Sequence, residues 1–249
     1  MGTSRAEAGN VDEAFQECDY VFEDRYTTQA IHHAAIEPHV AIADFAPNGK
    51  LTIYSPCQNT FAFRVIMSRI FGLSYNKIRM VAPAIGGAFG GKLEVTVEPV
   101  AAVLSQMTGK PVKVEYNRKE SILSTRVRHA SVNYVKTGFM KDGTLKAVDF
   151  KVYTNTGAYA SSALNVSGAM SHKVFKAYKI DHMRFQCQPV YTNTEIAGAM
   201  RGYGSPQVYF GWQRQMQKIA DFLHMDMADL QMKNMVDPDS CDPIFHKPH

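Results

Sequence analysis

Alternating apolar and polar positions predict two β-hairpins and several further strands. In the first hairpin, runs over 40–45 and 51–55 flank the turn Pro47-Asn48-Gly49, whose Asn-Gly pair suits backbone with positive φ. A second, longer pair of runs, 131–140 and 145–153, is joined by Lys141-Asp142-Gly143-Thr144. Single strands are expected over 20–28, 77–81, 112–116 and 183–191.

Helical periodicity appears between these strands. Apolar residues at three- and four-residue steps mark a helix over 59–71, and Gly72 stands where a left-handed cap belongs. Other helices are expected after Asn10, over about 95–107, along the apolar stripe Val208, Trp212, Ile219 and Leu223, and over about 226–235. The pattern therefore predicts the α+β class, with mixed sheets and antiparallel hairpins packed against helices, in one domain or two intimately packed lobes.

Composition excludes several classes of protein. With 45% hydrophobic and 20% charged residues the chain is neither disordered nor collagen-like. The net charge of +4 is too small to indicate a nucleic-acid partner, and no apolar run approaches the roughly 20 residues of a membrane-spanning helix. The first residues show no signal-peptide pattern. The widely spaced cysteines argue against a zinc cluster and a disulfide framework and favour a reducing cytoplasm; they are Cys18, Cys57, Cys187 and Cys241.

The most unusual segment is Gly86-Gly87-Ala88-Phe89-Gly90-Gly91-Lys92. Glycine permits positive φ and close approach, so backbone N–H groups here could converge on an anionic ligand at the start of the following helix. The spacing of Gly86, Gly91 and Lys92 satisfies most of a Walker A pattern. However, Leu93 replaces the Mg²⁺-binding Ser or Thr, and Phe89 is bulky for a phosphate loop. A nucleotide-binding P-loop and a purely structural turn are the alternatives.

Two further segments carry candidate polar groups. Gln58-Asn59-Thr60 lies between a strand and a helix, where Asn59 is a natural N-cap and Gln58 can present a neutral amide donor. Arg201-Gly202-Tyr203-Gly204 places a guanidinium beside two glycines ahead of a helix, where it could grip phosphate or a polar heterocycle.

A cluster of histidines and one glutamate precedes the first hairpin. Only His33 and Glu37 have the i, i+4 spacing of one helical face, and Pro38 would break a helix there. A hydrogen-bonded, partly buried pair of His33 and Glu37 is therefore favoured over a transition-metal site.

Taken together, these motifs resemble the molybdenum-hydroxylase family of xanthine dehydrogenases and aldehyde oxidases, specifically the first cofactor-binding half of its molybdopterin-binding large subunit. The matching segments are Gln58-Asn59-Thr60, the glycine segment 86–92 and residues 199–207. Residues 33–38 resemble the family's His-x-x-x-Glu stretch, and Asn117-Arg118-Lys119-Glu120 resembles its Asp/Asn-Arg-x-Glu turn. On this resemblance, residues 1–249 form the first molybdenum-cofactor-binding region, with a core over 20–236 and a loose tail over 237–249.

The resemblance implies a role for each motif. Gln58 would hydrogen-bond the apical oxo ligand of molybdenum, while Phe89 and Tyr203 would form aromatic walls around a planar substrate; these three are the expected catalytic residues. The expected cofactor-binding residues are Gln58, Gly86, Gly87, Ala88, Phe89, Gly90, Arg201 and Gly202. In this family the cofactor's dithiolene sulfurs, and not protein side chains, ligate the metal.

Departures from the family pattern narrow the substrate. Purine-oxidising members carry Glu directly after the glycine-segment Lys, where this chain has Leu93 followed by Glu94, and no Arg stands near Ala169. An aldehyde or an uncharged N-heterocycle is therefore expected rather than xanthine. Carbon monoxide dehydrogenases carry Cys where Gly202 stands, which argues against CO oxidation.

The family's general-base Glu belongs to a second half of the subunit. We therefore expect these residues to be a fragment or a piece of a split subunit, inactive alone. The second molybdopterin-binding half and iron–sulfur and FAD domains or subunits are the expected partners, because no cysteine motif for iron–sulfur clusters is present. A nonenzymatic assembly module is the alternative from another functional class.

Overall fold

The computed structural model describes residues 2–176 and 178–237, which divide into two compact units. Residues 2–31, 129–197 and 202–237 make up the five-stranded unit, and residues 32–128 and 198–201 make up the four-stranded unit. The predicted loose tail, apart from Asp237, lies outside the described residues.

The strands are β1 Ser4–Ala8, β2 Tyr20–Thr28, β3 Val40–Phe45, β4 Leu51–Tyr54, β5 Ile78–Val81, β6 Val112–Glu115, β7 Val127–Arg128, β8 Ser131–Phe139, β9 Leu145–Gly157, β10 His182–Tyr191 and β11 Ala197–Gly198. The helices are α1 Val11–Gln16, α2 Thr60–Phe71, α3 Glu98–Thr108, α4 Arg118–Ser124, α5 Ala163–Val174, α6 Ser205–Leu223 and α7 Met227–Asn234. Both predicted hairpins and the α+β class are confirmed.

The five-stranded unit contains the sheet β1-β10-β9-β8-β2, in which only β9 and β10 run parallel. Its core combines alternate residues of the strands with the apolar side of α5 and α6. Trp212 of α6 stacks on Phe150 of β9, with ring centroids 5.6 Å apart and planes 6° apart. The predicted stripe of α6 is thus a packing surface, and Val208 and Ile219 are fully buried beside it.

The four-stranded unit contains the sheet β5-β4-β3-β6. Ala41 and Ala43 of β3 and Ala101 and Ala102 of α3 are buried in its core, where their small size lets the helix approach the sheet closely. Gly72 ends α2 and Gly109 ends α3 with φ of 62° and 64°, the left-handed caps that glycine favours.

Helix α3 begins at Glu98, so the predicted start near Val95 is wrong. The reason is local: the Glu98 carboxylate accepts hydrogen bonds from the Ser55 hydroxyl at 2.6 Å and from the Thr96 N–H at 2.7 Å. This folded-back side chain holds Thr96 in a turn. The glycine segment therefore does not lead directly into a helix N-terminus, contrary to the prediction.

Among the described residues, no helix is both long enough and apolar enough to cross a membrane.

Candidate functional site

The glycine segment 86–92 forms a loop that follows β5 in the four-stranded unit. Gly87 and Gly90 adopt φ of 105° and 101°, which a side chain would strain. Phe89 adopts φ of 53°, an uncommon conformation for a bulky residue. Strained backbone of this kind persists only where neighbouring structure enforces it, and it is enriched at binding and active sites.

Several N–H groups of the loop are bound internally. Gly91 donates to the Ala88 carbonyl at 2.8 Å and Leu93 to the Gly90 carbonyl at 3.3 Å. Within residues 2–176 and 178–237, the consecutive N–H groups of Gly87, Ala88 and Phe89 have no acceptor. Ala88 is 8% exposed, and its N–H, like those of Gly87 and Phe89, is available to an acceptor that binds at the loop.

Gln58 lies against this loop, after β4 and immediately before the α2 cap Asn59. Its side-chain oxygen Oε1 accepts from the N–H groups of Gly90 at 3.0 Å and Lys92 at 3.3 Å. The backbone N–H of Gln58 donates to the Lys92 carbonyl at 2.9 Å. These two N–H donors determine which end of the amide faces the loop, because an amide nitrogen cannot accept from them. Nε2 is left as a donor with no acceptor among the described residues.

The segment 198–201 is hydrogen-bonded to the loop and to residues around it. The N–H of Arg201 donates to the Phe89 carbonyl at 2.9 Å, and the Arg128 guanidinium donates to the Arg201 carbonyl at 2.8 Å. His33 Nε2 donates to the Ala199 carbonyl at 2.7 Å, which anchors this segment. The Arg201 side chain itself is exposed.

Gly202 and Tyr203 belong to the five-stranded unit. Gly202, Tyr203 and Gly204 have successive φ values of 88°, 45° and 96° directly before α6. Lys173 of α5 donates to the carbonyls of Gly202 at 2.5 Å and Tyr203 at 3.1 Å. Tyr203, like Phe89, is therefore an aromatic residue held in left-handed backbone next to glycine.

The predicted pair of His33 and Glu37 is wrong. His33 instead contacts the carbonyls of Ala199 and Arg126, and Glu37 binds Lys92 and the N–H of Gly86. Pro38 does interrupt the segment, so no helix places the two side chains on one face. No group of three or more His, Cys, Asp or Glu side chains that could hold a metal ion occurs within the described parts of the chain.

The position of Lys92 speaks against the P-loop alternative. Its side chain is only 4% exposed and its ammonium group lies 2.5 Å from Glu37 Oε2. A Walker A lysine must reach the β- and γ-phosphates of a nucleotide. Here the ammonium group points into an ion pair beneath the loop.

Burial lowers the pKa of the three histidines around the loop, His32, His33 and His39. Their pKa values in the folded chain lie below the ordinary histidine value of about 6.5, so the unfolded chain binds more protons as the pH falls through that value. Stability contributed by the neutral rings is therefore present above about pH 6.5 and lost on acidification.

We expect the free energy of unfolding to fall below pH 6.5 by up to about 1.4 kcal/mol per pH unit for each such histidine. His39→Gln should reduce this slope, because glutamine can still donate to the Gly91 carbonyl but does not titrate. Denaturant unfolding of both proteins at pH 7.5, 6.5 and 5.5 measures the slopes. Equal slopes would contradict the role of His39.

Comparison with known proteins identifies the family. Residues 2–235 match the family model of the molybdopterin cofactor-binding domain. The chain is 36% identical over 228 residues to the nicotinate dehydrogenase large molybdopterin subunit of Eubacterium barkeri, covering 92% of this chain and 54% of that subunit. It is 34% identical to the putative xanthine dehydrogenase molybdenum-binding subunit XdhA of Escherichia coli strain K12, covering 98% of this chain and 33% of the relative.

Solved structures of molybdenum enzymes superpose closely on this chain. The aldehyde oxidoreductase of Desulfovibrio gigas superposes with a TM-score of 0.91 at 30% identity, covering 99% of this chain and 27% of that one. A Cu,Mo-carbon monoxide dehydrogenase superposes with a TM-score of 0.89 at 26% identity, covering 96% of this chain and 31% of that one. The chain thus spans from about a quarter to about half of the length of these relatives.

The match over residues 2–235 shows that the chain belongs to the molybdopterin cofactor-binding domain family of the xanthine dehydrogenase and aldehyde oxidase type.

Proposed function

We propose that this chain forms one side of the cofactor site of a molybdenum hydroxylase that oxidises an N-heterocycle or an aldehyde. The observation that carries the proposal is the set of unpaired donors in the four-stranded unit. Three of these donors are the consecutive N–H groups of Gly87, Ala88 and Phe89. The fourth is Gln58 Nε2, in the same amide whose oxygen accepts from the N–H of Gly90.

These donors fit the chemistry of the group that the family binds. A molybdopterin cofactor carries phosphate and metal-oxygen groups, which accept hydrogen bonds from backbone N–H groups and neutral amides. A side chain at Gly87 or Gly90 would strain the backbone, and a Cβ at Gly90 would lie 2.6 Å from the Ala199 carbonyl. When bound, the cofactor supplies the two-electron oxidation and the activated oxygen.

The residues of this chain would bind the cofactor and orient the substrate. Residues 87–89 would hold the cofactor through their N–H groups, and Gln58 would present a neutral donor that adds no charge. Phe89 is 48% exposed, so its ring is available to a planar substrate. We assign the same role to Tyr203, and cofactor contacts to Gly86, Gly90, Arg201 and Gly202, on the resemblance to the family.

The substrate class rests on two arguments. Leu93 occupies the position at which purine-oxidising members carry Glu, and Glu94 beside it forms an ion pair with Arg126 at 3.3 Å. The names of similar proteins include a nicotinate dehydrogenase, an aldehyde oxidoreductase and a putative xanthine dehydrogenase subunit, so N-heterocycles and aldehydes are both represented among them. The choice of a non-purine substrate rests on Leu93.

A complete enzyme needs more than these residues. We propose that a second cofactor-binding half supplies the general base, and that iron–sulfur and flavin domains carry the electrons away. The lengths of the relatives support a second half, because the chain covers only 33% of XdhA, which is itself named a molybdenum-binding subunit. The three described cysteines are free thiols, which suits assembly in the reducing cytoplasm.

Isotope labelling of the intact assembly tests the proposal. Turnover of an aldehyde and of an uncharged N-heterocycle such as quinoline in H₂¹⁸O, with a dye as electron acceptor, should give a product with one ¹⁸O atom derived from water. Residues 1–249 alone should give no turnover. Oxygen derived from O₂, or no oxidation of either substrate class, would contradict the proposal.

A further inference from the structure

Glu37 contacts both ends of the glycine loop. Its carboxylate oxygen Oε2 accepts from the N–H of Gly86 at 3.0 Å and from the ammonium group of Lys92 at 2.5 Å. The N–H of Glu37 also donates to the Gly86 carbonyl at 3.0 Å. One residue outside the loop thus joins the residue where the loop begins to the residue where it ends.

The segment that carries Glu37 is itself held in place. Arg118, at the start of α4, donates to the carbonyls of Ala35 at 2.6 Å and Ile36 at 2.5 Å. The capping box of Asn117 and Glu120 fixes the first turn of that helix. Glu37 is therefore presented from a rigid support.

Lys92 carries this restraint to Gln58. The N–H of Lys92 donates to Gln58 Oε1, and the Lys92 carbonyl accepts from the N–H of Gln58. A displacement of Lys92 would therefore move the Gln58 amide. The same displacement would change the distance between Gly86 and Lys92, the two ends of the loop. The N–H groups of residues 87–89 lie between these ends.

We propose that Glu37 is a positioning residue for the cofactor site: its ion pair with Lys92 sets the shape of the glycine loop and the direction of the Gln58 amide. The part of this inference that concerns cofactor binding rests on the proposed function. The part that concerns the shape of the loop does not.

The burial of the pair explains why the charge matters. The side chain of Lys92 is 4% exposed and that of Glu37 is 29% exposed. Loss of the Glu37 charge leaves the buried Lys92 ammonium group without its carboxylate partner, which is more destabilising than loss of an exposed ion pair. A neutral pair of the same size avoids that penalty.

Four variants of the native assembly separate charge from geometry. Glu37→Gln can keep an oxygen near Gly86 but leaves Lys92 unpaired. Glu37→Gln with Lys92→Met removes both charges and keeps side chains of similar size. Glu37→Ala removes both contacts. Glu115→Gln is the matched control, since it makes the same chemical change in the exposed ion pair of Lys113 and Glu115.

Two readouts are measured on folded protein: molybdenum and pterin per chain, and deuterium uptake of a peptide covering 84–93. We expect Glu37→Gln to lower cofactor content at subsaturating supply about tenfold, corresponding to about 1.4 kcal/mol of binding free energy, and to raise uptake in the peptide. Glu37→Ala should lose at least as much. The double variant avoids the unpaired buried charge but has no ion pair, so it should fold while its cofactor content and peptide uptake stay near the Glu37→Gln values. Glu115→Gln should match the wild type.

A merely structural role predicts a different result. The thermal midpoint would then fall in Glu37→Gln while molybdenum per folded chain and uptake over 84–93 stayed at wild-type values, and the proposal would be wrong. If the wild-type assembly holds no molybdopterin, the proposed function fails, but the uptake readout still decides whether Glu37 shapes the loop. If Glu37→Gln does not fold, the double variant decides, because wild-type cofactor content and wild-type uptake without the ion pair would overturn the proposal.

Discussion

Gln58→Glu should lower kcat of the assembled enzyme about 100-fold, the effect typical of removing one preorganised donor from an active site. The substitution retains an oxygen that accepts from the N–H groups of Gly90 and Lys92, so the loop remains attached. It replaces the Nε2 donor by an acceptor, and it adds a negative charge. Steady-state kinetics with an aldehyde or N-heterocycle measures the effect.

A control separates this role from a general effect of charge. Gln106→Glu makes the same change on the exposed side of α3 and should leave kcat unchanged. Gln58→Ala removes both the donor and the loop contacts, so it should also lower cofactor content. A wild-type kcat in Gln58→Glu would show that Gln58 does not act as a hydrogen-bond donor in catalysis.

Gly90→Ala should be the most disruptive change in the loop. A Cβ at this position would lie 2.6 Å from the Ala199 oxygen and 3.0 Å from the Met200 Cα, and φ is +101°. The backbone of Ala199 cannot yield freely, because His33 holds its carbonyl. We expect a loss of about 3 kcal/mol in the free energy of unfolding, together with loss of cofactor.

Gly109→Ala is the matched control for backbone strain. Its φ is +64°, and a Cβ there would meet nothing within 4 Å. It should cost only about 1 kcal/mol, the penalty of left-handed backbone without a clash, and leave the cofactor content unchanged. Denaturant unfolding followed by circular dichroism gives both values. Equal costs for the two variants would show that the contact with Ala199 does not matter.

Elements with strong local signals could be predicted from the sequence. The hairpins follow from alternation and from turn glycines, and Gly72 and Gly109 end their helices as their positions indicate. Residues 117–120, which resemble a turn in sequence, begin helix α4, because the capping box of Asn117 and Glu120 marks a helix start that the polar residues do not otherwise show. Helix α5 was missed because Gly168 and several serines obscure its apolar side.

The candidate site was predictable only in part. The glycine loop and Gln58 stand out by residue type, and the structure places them in contact. The partner of Glu37 could not be predicted. The i, i+4 spacing pointed to His33, whereas the actual partner Lys92 lies 55 positions away and is brought near by the sheet. Long-range ion pairs of this kind carry no local periodicity.

The most direct test of the central claim is the molybdenum and released-pterin content of the intact assembly, purified from its source with an antibody to this chain. We expect near-stoichiometric metal and pterin per chain, with the intact mass of the polypeptide showing whether both cofactor-binding halves are continuous. An assembly that retains its partners but contains neither metal nor pterin would contradict the account and favour an assembly module without catalysis.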